Sequence, residues 1–460
     1  MRTILIIAQK CSWILLIFLG IGATAQTSVL DQYIDTAFSR NIVLRQKNIS
    51  LEKAGYALQI AKGFYYPTVA FQAGYQTADG GRDIQLPIGD MLNGVYNTLN
   101  ELTQSNKFPQ LKNESINFLP ANFYDAKIRT TVPIFNADIS YNKKITEQQV
   151  IISAYEIDIY KRELVKNIKT AYFNYLAALH AIDIYKASLE LAEEGKRVNE
   201  KLLANGKGLH AYVIRAEGEV EQMKSQITNA EQMAFNAKSW FNLLLNKPQD
   251  SFVDTGYNVE NDVAGIAGLL TSEEKSAGRE ELKALKQVVT VNETVLQMNK
   301  AVYYPKLNGF VDLGSQSQNW KFNSQSRYYM LGLQMDVPIF AGNRNRNKIR
   351  QSSLDVKNAE LNLEQTSQQF DLNVSTARNN LKSAWHTFHS SEKQLEAAET
   401  YQRLIERGYR EGVNTYIETV DARSQLIRAK LAVTINRNRL LSSAAILERE
   451  AATYNLTATK

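Results

Sequence analysis

The strongest constraint on this chain is that it repeats itself. A duplicated chain must build one supersecondary unit twice. Phe64-Tyr65-Tyr66-Pro67 returns as Val302-Tyr303-Tyr304-Pro305, with Tyr65 and Tyr303 standing 238 positions apart. The same offset lays Arg40-Asn41 and Leu44 over Gly278-Arg279 and Leu282. Val132-Pro133-Ile134-Phe135 recurs unchanged as Val337-Pro338-Ile339-Phe340, 205 positions on. Gly208 and Tyr212 precede Gly412 and Tyr416 by 204 positions. Each half runs helix, Tyr-Tyr-Pro, Val-Pro-Ile-Phe, long helix, glycine turn, helix. The offset shrinks along the chain because the first half carries a longer insertion between its first two markers.

The N-terminus has the grammar of export. Arg2 and Lys10 precede an apolar run from Trp13 to Ile21, and Ala23-Thr24-Ala25 before Gln26 fits the small-residue cleavage rule. That run is shorter than the roughly 17–25 residues a transmembrane helix needs. A signal peptide over residues 1–25 is therefore expected, and it would remove Cys11, the only cysteine. Lys10 before Cys11 does not suit lipid attachment. The rest of the chain then offers no disulfide, thiolate metal site or cysteine nucleophile. Net charge is +6, which is mild for 460 residues and argues against nucleic acid as a partner. Beyond residue 25 no apolar run reaches 18 residues, so any membrane crossing must use β-strands.

Four segments alternate as such strands do. Val69, Phe71, Ala73 and Tyr75 oppose Thr68, Ala70, Gln72, Gly74 and Gln76. Ala126, Ile128, Thr130, Val132 and Ile134 oppose Asp125, Lys127, Arg129 and Thr131. Leu307, Gly309, Val311 and Leu313 oppose Asn308, Phe310, Asp312 and Gln316. Tyr329, Leu331, Leu333, Met335, Val337 and Ile339 oppose Met330, Gly332, Gln334 and Asp336. Period two with one apolar and one polar face is the signature of a strand between lipid and water. Tyr65, Tyr66, Phe123, Tyr124, Phe135, Tyr303, Tyr304, Tyr328 and Phe340 gather at the segment ends, where aromatic rings favour the membrane boundary. Four strands cannot close a barrel, and an open edge in lipid leaves backbone groups unpaired. Several copies must share one barrel.

Long helices follow. Ser140 to Leu203 lacks proline and has one glycine, Gly195, while Arg346 to Ile405 has neither. Each stretch of roughly 60 residues is about 90 Å of helix. Ile168, Tyr172, Tyr175, Leu179 and Ile182 mark an apolar stripe in the first; Leu361, Leu363, Phe370, Leu372, Val374 and Leu381 mark one among the many Gln and Asn of the second. Narrow stripes on polar helices need neighbours on both flanks. Asn205-Gly206-Lys207-Gly208 and Arg410-Glu411-Gly412 end the long helices, because glycine admits the left-handed conformation that stops a helix. Shorter helices from about Tyr212 to Leu245 and about Tyr416 to Ala451 return.

The ordered set of markers resembles the TolC-like outer-membrane efflux proteins. It comprises Arg-Asn-x-x-Leu and Gly-Arg-x-x-Leu at 40–44 and 278–282, the Tyr-Tyr-Pro and Val-Pro-Ile-Phe pairs, Leu243-Leu244-Leu245-Asn246-Lys247-Pro248, and Tyr409-Arg410-Glu411-Gly412 leading into Val420-Asp421-Ala422-Arg423. The resemblance implies a mainly α protein with a transmembrane β part. Three protomers would build a twelve-stranded β-barrel on a long periplasmic α-helical barrel. Its partners would be a periplasmic adaptor (a membrane fusion protein) and an inner-membrane pump, driven by protons or ATP. The implied divisions are the signal peptide 1–25, an N-terminal helix 26–63, strands 64–135 around an outward, partly folded loop 77–122, and helices 136–246 with a tip at 205–210. An equatorial linker and helix 247–300, strands 301–340 around loop 316–327, helices 341–453 with a tip at 410–414, and a tail 454–460 complete the chain.

The resemblance also implies a gate at the tips. Glu418 and Asp421 match acids that face the lumen, and Tyr409 matches a tyrosine that latches the closed state. Glu217 overlies Asp421 by the internal repeat. Asn414 stands where an arginine is common, and Ile214 where an acid is common, so the gate departs from the family pattern in detail. Adaptor contact is expected at Gly206, Gly208, Leu209, Tyr212, Gly412, Val413, Asn414 and Tyr416. In a trimer each acid becomes a ring, and carboxylates about 6 Å apart at an effective dielectric near 20 repel by roughly 3 kcal/mol. The competing structural reading makes Glu418 and Asp421 solvated acids welcomed by the helix dipole.

No catalytic pattern appears: no HExxH, Walker A or strand–helix GxGxxG. His386 and His389 lie three apart on a helix, while His180 and His210 are isolated, and all four read as surface or lumen residues. Neither enzyme activity, a metal site nor a cofactor is expected. The leading function is a passive exit duct for efflux or type I secretion, with metal-cation efflux as a variant. The alternative is a structural periplasmic coiled coil or surface adhesin.

Overall fold

The computed structural model describes residues 29–119, 121–271 and 278–456. The expected signal peptide with Cys11, a short part of the expected 247–300 linker and the last residues of the expected tail lie outside the described residues. Two compact units emerge, each assembled from both halves of the repeat. The first comprises residues up to 53, 150–289 and 358 onward; the second comprises 54–149 and 290–357.

The first unit is helical. It holds α1 (Val29–Arg40), the start of α2 (Ile42–Gly63), most of α4 (Ala137–Ala204), α5 (His210–Leu244), α6 (Val259–Thr271), half of α7 (Glu280–Lys300), most of α8 (Arg344–Arg410) and α9 (Tyr416–Ala451). The N-terminal helix expected as one piece breaks at Asn41. Core positions step by three, four and seven residues: Val374, Ala377, Leu381, Ala384 and Phe388 on α8, and Val433, Leu440 and Leu447 on α9. Such spacing is a narrow seam that leaves the other flanks to neighbours. Each fully buried Leu or Phe contributes about 1.5–3 kcal/mol. On α4 the expected stripe holds, with Ile168, Tyr172 and Ile182 buried. On α8 it does not hold throughout: Leu361 and Leu372 are exposed, so its seam is set by the residues from Val374 onward.

Repeat-equivalent residues start α2 and α7. Asn41 is buried and caps α2, its Oδ1 accepting from the Leu44 amide at 3.1 Å and from Tyr160 Oη at 3.1 Å. Arg279, 1% exposed, lies against the Phe370 ring at 3.8 Å and pairs with Glu281 at 2.8 Å and Glu450 at 2.5 Å. Arg449 reaches Glu281 and Glu163 at 3.0 Å, and Arg162 Nη2 donates to Glu280 at 2.8 Å. Burial alone would raise the Glu280 carboxyl, but the Arg162 hydrogen bond and charge, with the backbone amide, hold it below its ordinary value.

The second unit contains a four-stranded antiparallel sheet in the order β1 (Thr68–Gln76), β4 (Phe123–Phe135), β5 (Lys306–Gln318), β6 (Arg327–Asp336). The segment between β1 and β4 carries its own structure. β2 (Asp83–Leu86) pairs with β3 (Glu114–Asn117) and encloses α3 (Ile88–Thr103). Two strand ends differ from the sequence reading. β5 runs on to Gln318, which shortens the loop expected from 316. β6 stops at Asp336, so Val337-Pro338-Ile339-Phe340 leaves the sheet while its twin Val132–Phe135 stays in β4. Asp336 pairs with Lys306, the first residue of β5, and Pro305 before it has no amide hydrogen to continue the ladder. In β4, Pro133 is accommodated by a register shift against β5.

Candidate functional site

The sheet presents two chemically opposite faces. Phe71, Ile128, Leu313 and Tyr329 lie abreast across all four strands, and Val69, Thr130, Val311 and Leu331 form the adjoining row on the same face. Phe71 is 72% exposed and Tyr329 77%, so this apolar surface is uncovered within one chain. The other face is ionic. Arg129 donates through Nε and Nη2 to both oxygens of Asp312, at 2.7 and 2.6 Å. Its guanidinium lies 5.0 Å from the Phe310 ring centre, and that ring occupies the space a side chain on Gly332 would need. Lys127 pairs with Asp125 at 2.9 Å, and Tyr328 Oη donates to Asp125 at 2.7 Å. A lipid-facing row and a water-facing ionic row on alternate residues are what a barrel wall requires.

Aromatic side chains mark the ends of the sheet. The Trp320 indole lies between Tyr75 and Tyr124, centroids 5.3 and 5.5 Å away and planes within 9° of parallel. Trp320 holds a left-handed backbone, φ 56°. Such strain costs about 1–3 kcal/mol. Two ring contacts offset it by about 0.5–1.5 kcal/mol each. Tyr65, Tyr66, Phe135, Tyr303, Tyr304 and Phe340 are exposed at or beyond the opposite ends of the strands. Among the described residues β1 and β6 each have one unpaired edge.

The helix turns form a second site, in the helical unit. α4 ends at Ala204, and Gly206 takes φ +66°. α8 ends at Arg410, and Gly412 takes φ +76°. The two turns differ in how they restart a helix. Leu209 precedes α5 and makes no side-chain cap. Thr415 caps α9 in a reciprocal box: its Oγ1 accepts from the Glu418 amide at 3.3 Å, and the Glu418 carboxylate accepts from the Thr415 amide at 2.6 Å. That amide, with Asn414 Nδ2 and the Thr415 hydroxyl, holds the Glu418 carboxyl below its ordinary value.

Behind the turns is a buried cluster. Tyr416, 1% exposed, packs with Ala216 and Val420, with Tyr212 at 5.6 Å and Tyr409 at 6.1 Å between ring centres. Its hydroxyl donates to Glu219 at 3.3 Å. Arg423 lies 3.6 Å from Glu219 and donates to the Leu191 carbonyl at 2.9 Å. Burial first, and Glu219 second, push the Tyr416 hydroxyl up to about 12. A side chain on Gly195 would come within 3.1 Å of the Arg423 nitrogens and 3.3 Å of the Tyr416 hydroxyl.

Of the residues expected at the gate, Tyr409 joins the buried cluster, together with the tip residues Tyr212 and Tyr416. The acids stay outside it, each with its own partner. Glu217 is exposed and pairs with Lys196 at 3.2 Å; Asp421 is exposed and accepts from Gln425 at 2.7 Å. Glu418 is occupied by its cap. Gly206 and Gly412 are exposed, Gly208 packs against Leu202 and Leu203, and Asn414 folds over Gly408. Leu209 and Val413 are exposed apolar tips, at 58% and 78%. Glu219, and a site role for the marker residue Arg423, were not expected from the sequence, although the two are repeat equivalents of opposite charge, 204 positions apart. Gly195, the lone glycine of α4, is the space they need. Among the described residues no group of three or more His, Cys, Asp or Glu can hold a metal, and no helix is long and apolar enough to cross a membrane.

The sequence pattern of the outer membrane efflux proteins matches residues 33–239 and 272–452. The chain belongs to that family. Outer membrane protein TolC of Escherichia coli is 22% identical over 338 residues, 68% of this chain and 66% of that protein. The alkaline protease secretion protein AprF of Pseudomonas aeruginosa is 19% identical over 314 residues, 66% of this chain and 65% of that protein. The chain thus spans just under two thirds of the length of both relatives. The crystal structure of the outer membrane protein VceC of Vibrio cholerae superimposes with TM-score 0.70 at 15% identity, covering 92% of this chain and 95% of that one. This outer membrane efflux protein therefore shares the mainly helical, part-stranded fold of outer-membrane channels.

Proposed function

We propose that this efflux protein is one protomer of a homotrimeric exit duct in the cell outer membrane, with its helical part in the periplasm. Three four-stranded sheets close a twelve-stranded barrel, β1 of one copy pairing with β6 of the next. The observation that carries this reading is the sheet itself: two unpaired edges, one uncovered apolar face and one ionic face. Neither open edges nor an exposed row of Phe71, Ile128, Leu313 and Tyr329 suits a protein surrounded by water alone. The duct is passive, and its cargo is set by the inner-membrane pump. The partners of the helix turns are a periplasmic adaptor, met by Leu209, Val413 and the residues beside them, and the pump to which it couples.

The gate lies at the turns, with Tyr409 in its latch. Within it the acids are unequal. The Glu418 carboxylate is committed to the Thr415 cap, whereas Asp421 is exposed and accepts from Gln425. Asp421, with Glu217 as its repeat equivalent on α5, supplies the ring that attracts cations in a trimer. Single-channel recording of the purified trimer in planar bilayers tests this. Wild type conducts and is blocked by divalent cations; Asp421→Ala weakens the block, and Glu418→Ala leaves it nearly unchanged. Equal block in wild type and Asp421→Ala removes the acid ring, and absence of any conductance removes the duct.

A further inference from the structure

The start of α8 is chemically unlike the rest of the molecule. Between Asp336 and Asp355 the chain has no acid and four cations, Arg344, Arg346, Lys348 and Arg350. None of the four is ion-paired among the described residues. Arg346 and Arg350 are one helical turn apart and line a hollow of about 470 Å³ with Tyr303, Ile339, Phe340 and Ile349. Ile339 is 92% exposed and Phe340 82%.

Helix physics opposes this arrangement. Like charges four residues apart repel, and the N-terminal end of a helix already carries positive potential. The first turn of α8 contains no acid to relieve it. The repeat supplies an internal control. At the equivalent start of α4, offset by 205, Arg346 and Arg350 are replaced by Tyr141 and Ile145. That helix has Asp138 in its first turn, paired with Lys306 at 2.6 Å, and its Lys143 pairs with Glu147 at 3.5 Å. The fold therefore does not need two guanidiniums at these positions.

The location of the hollow favours one occupant. Ile339 and Phe340 stand three and four residues past Asp336, where a strand read as crossing the membrane ends. Apolar side chains there meet acyl chains, and guanidiniums just beyond them meet headgroups. Planar guanidinium groups bind phosphate oxygens through paired hydrogen bonds. We propose that Arg346 and Arg350, with Ile339, Phe340, Tyr303 and Ile349, bind the headgroup and upper acyl chain of an anionic glycerophospholipid in the adjoining leaflet. This rests on the membrane-spanning reading of the sheet.

The test uses the purified protein in detergent micelles, titrated with phosphatidylglycerol or phosphatidylethanolamine, with bound lipid counted by native mass spectrometry. Wild type is expected to retain phosphatidylglycerol at least tenfold more tightly than phosphatidylethanolamine. Arg346→Gln with Arg350→Gln abolishes that preference, whereas Arg344→Gln with Lys348→Gln, elsewhere on the helix surface, largely preserves it. No preference in wild type, or an undiminished one in the Arg346/Arg350 variant, overturns the site. Bilayer conductance of the same wild-type sample separates the causes. A conducting protein without lipid preference loses only this site; a protein that never enters bilayers loses the membrane reading as well.

Discussion

The two halves of the chain reach the same architecture with different chemistry at equivalent positions. Asn41 starts α2 with neutral hydrogen bonds, while Arg279 starts α7 inside a network of arginines and glutamates. The turn before α5 has no side-chain cap, while the turn before α9 has a full capping box. α4 begins with an acid and α8 with a run of cations. In the first two pairs the second half carries the more specific pairing, whereas in the third it carries more charge and leaves that charge without ion pairs among the described residues. Duplication fixes where the helices begin, and leaves each copy free to choose what holds the start in place.

That contrast makes Arg279 the most sensitive of these positions. Arg279→Ala leaves the partly buried Glu281 and Glu450 with Arg449 as their remaining shared cation, and the two lost charged contacts cost about 3 kcal/mol. Asn41→Ala removes a cap, a loss of about 0.5–2 kcal/mol. Thermal unfolding of the two variants in one detergent measures both, and equal losses would erase the distinction between the halves.

Acid sharpens the same comparison. Glu280 has a folded pKa below its ordinary value of 4.5, so its stabilising contribution is complete above that pH. The contribution disappears as pH falls below 4.5 through the depressed folded pKa. Stability should therefore drop on acidification below that point, and Glu280→Gln should flatten the drop while lowering stability at neutral pH. Asn41 does not titrate, and Asn41→Ala should leave the slope unchanged. The measurement is melting temperature against pH, and parallel curves for wild type and Glu280→Gln would reject the role given to this pair.

The smallest effect is at the turns. Thr415→Ala should cost about 1 kcal/mol by removing the α9 cap. Leu209→Ser, which offers the α5 amides an acceptor, should gain up to about 1 kcal/mol. Hydrogen exchange of the first-turn amides of α5 and α9 reads each change locally. Faster exchange at α9 in the first variant and slower exchange at α5 in the second are expected, and no change at α9 would contradict the capping box.

Much of this was legible from the sequence, and for physical reasons. Period-two alternation made the four strands legible because each has one apolar and one polar face, and the ladder sets Phe71, Ile128, Leu313 and Tyr329 abreast on the apolar one. The glycine turns were visible because only glycine takes φ of +66° or +76° without strain. What was hidden depends on partners distant in sequence. The end of β6 at Asp336 is set by where β5 begins, which Val337–Phe340 cannot reveal. Glu418 is consumed by a cap that its spacing from Thr415 permitted but that a pore role overshadowed. Arg423 appears in the sequence only as the end of a marker, and its role shows once Glu219, Gly195 and the Leu191 carbonyl are placed beside it. The segment between β1 and β4 reads as an outward, partly folded loop, but its prolines and asparagines do not show that β2 and β3 pair around α3.

The proposed duct requires β1 of one copy to close against β6 of another. Cysteines at Phe71 and, in turn, at Tyr329, Leu331 or Leu333 sample neighbouring registers on one face, in a chain whose only natural cysteine is Cys11. Oxidation of the outer-membrane fraction should convert at least one of these pairs into a covalently closed trimer on a denaturing gel, reversible by thiol. Monomers for every pair, or bands that stop at a dimer, would contradict a barrel completed by three copies.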